Sequence, residues 1–187
     1  MKKIYMDMWK LAKPYYEKGR PMDIDHIEWM MKDAMFVCKE EKLDDSLLLP
    51  LVILHDVGYG VGKHVYLEKE SKKDHMVAGA KIAEGILNKL KYPKDKAKKI
   101  VDYISVHDNW IYGEDEIYRK DLVLGTFNDL DFMWLAVPKG FVAIKKILNK
   151  TDKELIDHIK NDSKLVRRPF ATKTTKKLYE KYMRNLK

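Results

Sequence analysis

The segment VILHDVGYGVGKH, from Val52 to His64, joins an apolar run to a glycine-rich loop through the adjacent pair His55–Asp56. The run that precedes the pair, LLLPLVIL, is hydrophobic on all sides, which predicts a helix buried in the middle of the domain. Glycines at positions 58, 60 and 62 end this helix and predict a loop. The pair is therefore either an ordinary polar helix end or two ligands of a metal site.

Helical periodicity extends along nearly the whole chain. Apolar residues recur at three-to-four spacing in the segments 23–42, 44–55, 74–91, 93–107, 117–135, 139–149, 152–162 and 172–186. No alternating strand pattern and no linker rich in Gly, Ser or Pro interrupts them. We predict an all-α fold, a compact bundle of about seven to eight helices in a single domain over residues 1–187, with loops at 57–73 and 108–116 that shape a site.

The composition is that of a globular protein, with 45% hydrophobic and 11% aromatic residues. No stretch approaches the roughly 18 apolar residues of a membrane-spanning helix. The first residues, MKKIYMDMWK, mix Asp and Lys with apolar residues, unlike a signal peptide. The single cysteine, Cys38, excludes an internal disulfide and a zinc–thiolate cluster. We expect a cytoplasmic protein without a membrane partner.

The net charge is +8, and lysines are concentrated at 89–99 and 173–187. Both stretches also fit the solvated face of an amphipathic helix, which we favour over a nucleic-acid surface. The excess of positive charge still favours anionic partners, phosphates among them. The helix at 172–187 could pack on a neighbouring subunit, so a homodimer is one expectation for the oligomeric state.

Four histidines occupy similar positions, on or at the end of a predicted helix whose apolar face turns inward: His26, His55, His75 and His107. A single histidine in such a position is usually a core residue. Four together are harder to accommodate, because each buried imidazole needs hydrogen-bond partners that an apolar interior lacks. His75 is also aligned with Gly79, a small residue that would let another backbone come close.

Two carboxylates match these histidines in position, Asp56 and Asp129. Asp129 lies in TFNDLDFMWL, on a helix fit for burial, where a carboxylate needs a cation or several donors. Asp131 competes with it, but Asp131 lies two residues further on and therefore on another face of the helix. We expect Asp129 to face the histidines.

Imidazoles and carboxylates without thiolates suit a divalent transition metal such as Fe, Mn, Zn, Ni or Co. Six protein ligands are too many for one tetrahedral ion, but they fill two sites if Asp56 bridges them. Two ions about 3.5–4 Å apart can bind the attacking and the leaving oxygen and supply a hydroxide near neutral pH.

The ordered set His26, His55–Asp56, His75, His107 and Asp129 resembles the HD-domain metal-dependent phosphohydrolase superfamily, whose minimal pattern is H…HD…D. The resemblance covers about residues 20–135 and leaves 138–187 as a C-terminal helical elaboration. It implies that His26, His55, Asp56 and Asp129 are the ligands shared by the superfamily. His75 and His107 match the two extra histidines of its dinuclear branch, so the resemblance leaves both one and two ions open.

One departure bears on the substrate. Many dinuclear members read HDIGK, whereas this chain reads HDVGY and has Tyr59 where they have a lysine. Lys63, on the glycine loop, is a candidate for the same space. Arg167 and Arg168 are further candidates for phosphate binding, while His158, in a polar helix, is expected to have no catalytic role.

Three functions are compatible with these residues. The favoured one is hydrolysis of a phosphoester or phosphoanhydride, in a nucleotide or dinucleotide, by metal-activated water oriented by Asp56. The second is a mixed-valent di-iron oxygenase, which the resemblance includes and which uses the same six ligands. The third is a nucleotide- or RNA-binding regulator that keeps a metal for structure.

Overall fold

The central element of the fold is the buried helix that ends in the His–Asp pair. The computed structural model describes residues 1–61 and 68–186. The helices are α1 (Lys3–Gly19), α2 (Asp23–Glu41), α3 (Asp45–Leu54), α4 (Lys69–Lys89), α5 (Lys94–Ile104), α6 (Glu116–Lys120), α7 (Leu122–Met133), α8 (Pro138–Ile147), α9 (Asp152–Lys160), α10 (Lys164–Arg167) and α11 (Lys173–Arg184). Within the described ranges there is no strand, which confirms the all-α prediction.

The helix boundaries differ from the predicted ones at a few places. The structure adds α1 and the short helices α6 and α10, so the described residues hold more than the predicted seven to eight helices. The predicted helix 117–135 is divided at Asp121, whose carboxylate caps α7 by accepting hydrogen bonds from the N–H groups of Val123 and Leu124. Part of the loop predicted at 57–73 is helical, because α4 begins at Lys69.

α3 lies in the middle of the bundle, in contact with α1, α2, α5 and α7. Its residues 48–54 are all buried, as expected for a helix that is apolar on every face. Asp44 caps its first turn by accepting a hydrogen bond from the N–H of Ser46. The helix therefore carries His55 and Asp56, which follow its last turn, into the interior of the domain.

Two glycines bring α4 against the turn that follows the His–Asp pair. A Cβ on Gly58 would lie 1.9 Å from the carbonyl oxygen of His75, so no other residue fits there without moving α4. Gly79 faces the same turn, because a Cβ at this position would lie 3.3 Å from the carbonyl oxygen of His55. The close backbone approach predicted from Gly79 is confirmed, and it places His75 beside Asp56.

The C-terminal helices form a second, smaller apolar cluster next to the main core. Trp134, Phe141 and Ile144 from the region of α8 pack with Leu155 and Ile159 of α9. α11 then returns to the main bundle, where it contacts α2 and α7. None of the described helices is both long enough and apolar enough to cross a membrane.

Candidate metal centre

One group of potential ligands lies where the first turn of α2, the end of α3 and the last turn of α7 meet. It consists of His26, His55 and Asp131, whose ligand atoms all lie within 4.8 Å of one another. The Oδ1 atom of Asp131 is 3.4 Å from Nε2 of His26 and 3.8 Å from Nε2 of His55. Both histidines are buried, whereas the Asp131 side chain is 27% exposed.

A second group lies on the other side of the His–Asp pair. It consists of Asp56, His75 on α4 and His107, which follows α5. The Oδ1 atom of Asp56 is 3.3 Å from Nε2 of His75 and 3.4 Å from Nε2 of His107. The two Nε2 atoms are themselves only 3.2 Å apart. All three residues are buried.

Asp56 connects the two groups through its two carboxylate oxygens. While Oδ1 faces His75 and His107, Oδ2 lies 3.4 Å from Nε2 of His55 in the first group. Asp23, at the start of α2, forms a further group with His26 and Asp56. The arrangement is thus one continuous ligand cluster in which a single carboxylate faces both sides.

The backbone fixes the orientation of three of the imidazoles. Nδ1 of His55 lies 3.0 Å from the carbonyl oxygen of Val52, and Nδ1 of His107 lies 2.8 Å from that of Ile104. Nδ1 of His75 is 3.3 Å from the carbonyl oxygen of residue 71. Because a carbonyl oxygen only accepts, Nδ1 carries the hydrogen in each case. Nε2 of each ring therefore faces the cluster and offers its lone pair there whenever the ring is neutral.

Several buried polar atoms in the cluster have no hydrogen-bond partner within the described part of the chain. They are Nε2 of His26, Nε2 of His55 and both carboxylate oxygens of Asp23. Buried polar atoms without partners are rare in native proteins, because each costs about 1–3 kcal/mol. Oδ1 of Asp23 pairs with the guanidinium of Arg20, 3.1 Å from Nη2. The two Nε2 atoms face carboxylates, and a cation at the centre would satisfy them. The donor set fits a divalent transition metal.

The protonation equilibria also suit a cation site. Burial lowers the pKa of His26 well below its usual value and lowers that of His75, so both rings are neutral at pH 7. Burial opposes ionisation of Asp56, but the neighbouring imidazoles, His55 foremost, hold its pKa well below the usual range. Although burial disfavours the charged imidazolium, the carboxylates of Asp56 and Asp131 raise the pKa of His55 to about 9.

The expectation that Asp129 joins this cluster is wrong. Asp129 is buried on the opposite side of α7, where its carboxylate accepts hydrogen bonds from the ammonium of Lys164, the hydroxyl of Thr175 and the backbone N–H of Ala171. Its partners come from α10, α11 and the segment between them. Asp131 takes the position beside the histidines that the sequence analysis assigned to Asp129.

A lysine and a second aspartate were missed by the sequence analysis. Lys72 on α4 pairs with Asp108, with 2.5 Å between Nζ and Oδ2, and the same Oδ2 lies 3.5 Å from Nε2 of His75. Trp110 donates its Nε1–H to Oδ1 of Asp108. Two signals could have found the pair: Lys72 lies one turn before His75 on the same helix face, and Asp108 completes a second His–Asp dipeptide.

Tyr59 has a position different from the substrate contact that was predicted. Its ring stacks on His75, with 4.1 Å between the centroids and 6° between the planes, and Arg20 lies over it at 4.4 Å. The side chain is 5% exposed and is not among the described residues that line the cavity beside the cluster. Tyr59 therefore supports His75 and Arg20. The other candidate on this loop, Lys63, lies outside the described residues.

The two predicted arginines differ in position. Arg168 is buried and lines the cavity, where Nε donates to Asn128 and Nη1 donates to Asp115. Arg167 pairs with the same Asp115, is 47% exposed and does not line the cavity. Arg168 therefore lies where a ligand of the cavity could contact it, whereas Arg167 does not line the cavity.

The cavity next to the cluster has a volume of about 160 Å³. Its described lining residues are Arg20, His26, Asp56, Lys72, Asp108, Trp110, Asn128, Asp131, Phe132, Trp134, Leu135, Ile144, Leu148, His158, Asp162, Lys164 and Arg168. Members of both ligand groups line it, together with cationic side chains from α4 and the C-terminal region. A ligand in this cavity would therefore touch the cluster directly.

Comparisons with known proteins agree with this geometry. A family model described as "HD domain" matches residues 23–130, which is more than half of the chain. The matched range contains His26, His55, Asp56, His75, His107 and Asp129 and ends one residue before Asp131. A comparison with curated proteins found no match, and a comparison with solved structures found none either.

Proposed function

This chain belongs to the HD domain family, and we propose that it hydrolyses a phosphoester or phosphoanhydride bond at a dinuclear metal centre bridged by Asp56. Proteins of this family are generally metal-dependent phosphohydrolases. The His/Asp groups of this chain suggest that it binds divalent metal. The proposal adds two points, namely that the site holds two ions and that the reaction is hydrolysis.

The observation that carries the proposal is the position of the two oxygens of Asp56. Oδ2 faces His55 in the first group, while Oδ1 faces His75 and His107 in the second. A site for one ion would need only the first group and one of these oxygens. The second group then has three buried acceptors within 3.4 Å of one another, which favours a second cation between them.

The first ion would be held by His26, His55, Asp131 and Asp56, and the second by Asp56, His75 and His107. Fe, Mn, Zn, Ni and Co all suit imidazole and carboxylate donors. When bound, two such ions supply positive charge for the phosphate oxygens and activate water near neutral pH.

The side chains around the cluster have separate roles in this reaction. Asp56 orients the attacking water, since its carboxylate lies between the two groups. Burial disfavours the charged form of Lys72, yet the carboxylate of Asp108 and other nearby groups raise its pKa, so Lys72 stays a protonated donor for a phosphate oxygen. Arg20 and Arg168 line the same cavity and add positive charge there.

The proposed substrate is a small phosphorylated molecule, with nucleotides as the first class to assay. Tyr59 stands where many dinuclear members of the superfamily have a lysine, and the proposal does not extend to cyclic dinucleotides. The lysine-rich faces at 89–99 and 173–187 and a homodimer through the last helix are not needed for this reaction.

The test is metal reconstitution followed by a substrate panel. Protein stripped with a chelator is loaded with each metal in turn and offered nucleoside monophosphates, dinucleoside polyphosphates and simple phosphomonoesters. Release of inorganic phosphate is the readout for the monoesters, and chromatography of the nucleotide products is the readout for the dinucleoside polyphosphates. We expect chelator-sensitive hydrolysis with two ions per chain. Consumption of O₂ with C–C or C–P cleavage would replace the hydrolase by an oxygenase. Tight nucleotide binding without turnover would replace it by a binding protein.

A further inference from the structure

The cavity beside the metal cluster has two chemically different ends. One end carries charged side chains, including Asp56, Asp131 and Lys72. The apolar side of the cavity is formed by Leu135, Ile144 and Leu148, which belong with Phe132 and Trp134 to one apolar cluster around the end of α7 and α8. A ligand that fills the whole cavity must therefore be anionic at one end and hydrocarbon at the other.

An aromatic ring of the apolar cluster reaches the first ligand group directly. Trp134 lines the cavity and stacks on His26, with 4.9 Å between the ring centroids and 23° between the planes. Trp110 also lines the cavity, but its neighbours are cations. Cζ of Arg168 lies 5.3 Å and Nζ of Lys72 lies 5.9 Å from its ring centroid. The apolar wall thus begins directly at the first ligand group, so a hydrocarbon chain attached to a bound phosphate would enter it at once.

The apolar end is only partly covered by the protein itself. Among the described residues, Phe132, Leu135 and Leu148 are half-buried although they line a concave surface. Covering such surface with a hydrocarbon group is favourable by about 25 cal/mol per Å². Sugar hydroxyls and nucleobase amides would instead lose hydrogen bonds to water against these residues.

The volume of the cavity limits the ligand further. About 160 Å³ is close to the roughly 150 Å³ of a cavity that holds benzene, and well below the roughly 300–1,000 Å³ of pockets for larger ligands. A phosphate and a short hydrocarbon group fill this space, and a larger ligand would extend out of it toward the surface.

We infer that the substrate is a phosphomonoester of a small alkyl or aryl alcohol, an inference that rests on the proposed hydrolase function. In the reaction, the oxygen of water bonds to phosphorus while the bond from phosphorus to the alcohol oxygen breaks. One proton of the water ends on the alcohol, and the products are the alcohol and inorganic phosphate.

The part of the chain that recognises the hydrocarbon lies outside the range of the family match. Phe132, Trp134, Ile144 and Leu148 all follow residue 130, where the match ends. His158 on α9 lines the cavity and is exposed, so the cavity reaches the surface near that helix. The region after the match therefore selects the substrate, while the matched region holds all the proposed metal ligands except Asp131.

Binding of alkylphosphonates tests the inference without turnover. The metal-loaded protein is titrated by calorimetry with methyl- to octylphosphonic acid, which cannot be hydrolysed, and with AMP and diadenosine tetraphosphate. We expect each added methylene to tighten binding about three- to fourfold until the cavity is full, near butyl or pentyl, and longer chains to bind more weakly. Affinity that does not depend on chain length, with AMP or diadenosine tetraphosphate bound more tightly than butylphosphonic acid, would overturn the inference.

A pair of variants on α8 and its end locates the effect. Leu148→Ala enlarges the apolar end, so we expect weaker butylphosphonic acid binding, by about tenfold, and an optimum at a longer chain. Val142→Ala, on the exposed face of α8, is the matched control and should leave the series unchanged. If Leu148→Ala does not fold, Leu148→Val is used. An optimum that stays at the same length in a folded variant contradicts the inference.

Turnover separates this inference from the proposed function. If the loaded protein hydrolyses butyl phosphate faster than AMP, both stand. If it hydrolyses AMP or diadenosine tetraphosphate better than every alkyl phosphate, the function stands and the inference fails. If it hydrolyses no phosphoester but still binds alkylphosphonates with the expected length optimum, the function fails and the hydrocarbon-binding cavity remains.

Discussion

Two aspartates on α7, only two residues apart, have opposite surroundings. Asp129 is enclosed by donors, namely the ammonium of Lys164, the hydroxyl of Thr175 and the N–H of Ala171. Asp131 faces the Nε2 atoms of His26 and His55, and Nε2 of each lacks a hydrogen-bond partner within the described residues. The protein therefore supplies the hydrogen-bond donors for Asp129, whereas Asp131 remains available to a ligand.

This contrast shows how a buried carboxylate can be assigned to structure or to function. Burial alone does not distinguish the two, since burial raises the pKa of both Asp129 and Asp131. The difference lies in the partners. A carboxylate whose oxygens already accept several hydrogen bonds stabilises the fold, whereas one that faces imidazole nitrogens without accepting a hydrogen bond from them can share a cation with them. Substitutions at the two positions should therefore affect different measurements.

The largest expected effect is on activity at position 131. Asp131→Asn removes a charged ligand without changing the size of the side chain, so we expect kcat/KM to fall by about 10³-fold, equivalent to roughly 4 kcal/mol. Metal content should drop with it. Phosphate release and metal analysis on the same preparation give both values.

Asp129→Asn is the matched control for this experiment, because it makes the same substitution on the same helix outside the ligand cluster. It should keep the full metal content when folded. If Asp129→Asn loses the metal and Asp131→Asn keeps it, the assignment of the two aspartates is reversed.

The next effect is on stability at position 129. Asp129→Ala leaves the buried ammonium of Lys164 without its partner, which costs about 3–5 kcal/mol in the free energy of unfolding. The double variant Asp129→Leu with Lys164→Met removes both charges and should recover most of this loss. Urea denaturation of the metal-free protein measures the free energy of unfolding of both variants. Equal stability of Asp129→Ala and the wild-type protein would show that the network does not hold the C-terminal helices.

A smaller effect is expected from the lysine beside the second ligand group. Lys72→Met removes the cation that pairs with Asp108, so KM for a phosphomonoester should rise about tenfold. Lys72→Arg keeps a cation at this position and should raise KM less than Lys72→Met does. Lys73→Met, an exposed neighbour on α4, is the control and should behave like the wild-type protein. An unchanged KM in Lys72→Met would place the phosphate away from this residue.

The smallest effect concerns pH. The pKa of His55 is raised to about 9 above its ordinary 6.5, because the charges of Asp56 and Asp131 outweigh the effect of burial. Its contribution to the stability of the metal-free protein is therefore complete below pH 6.5 and is lost as the pH rises through 9, by about 1–3 kcal/mol. Burial raises the pKa of Asp23 to about 7, which acts in the same direction at lower pH.

Metal binding should oppose the loss of stability with rising pH, because a ligand imidazole has to lose its proton before it binds the metal. Thermal unfolding between pH 6.5 and 9 should show a falling Tm with chelator and a growing difference in Tm when metal is added. Parallel profiles for the two forms would contradict the assignment of His55 as a ligand.

Much of the fold and of the cluster could be predicted from the sequence. The all-round hydrophobic run before His55 predicted a central helix, and α3 is buried along its length. The small residue at position 79 predicted a close backbone contact, which Gly58 and Gly79 make. The order of the histidines predicted that His26, His55, His75 and His107 would come together, and they lie in adjoining groups.

The choice between Asp129 and Asp131 could not be made in this way. α7 is buried on most sides, so both aspartates occupy faces that point toward other elements. What distinguishes them is the position of Lys164 and Thr175, which are far along the chain and reach Asp129 only through tertiary contacts. The pairing of Lys72 with Asp108 could not be predicted for the same reason, because α4 and the turn after α5 meet only in the folded chain.

Anomalous diffraction from crystals grown with Mn²⁺ tests the central claim most directly, because it locates each ion relative to the aspartates. The account predicts two peaks about 3.5–4 Å apart on either side of the Asp56 carboxylate. One should lie against His26, His55 and Asp131, and the other against His75 and His107. A single peak, or a peak bound by Asp129 in place of Asp131, would contradict it.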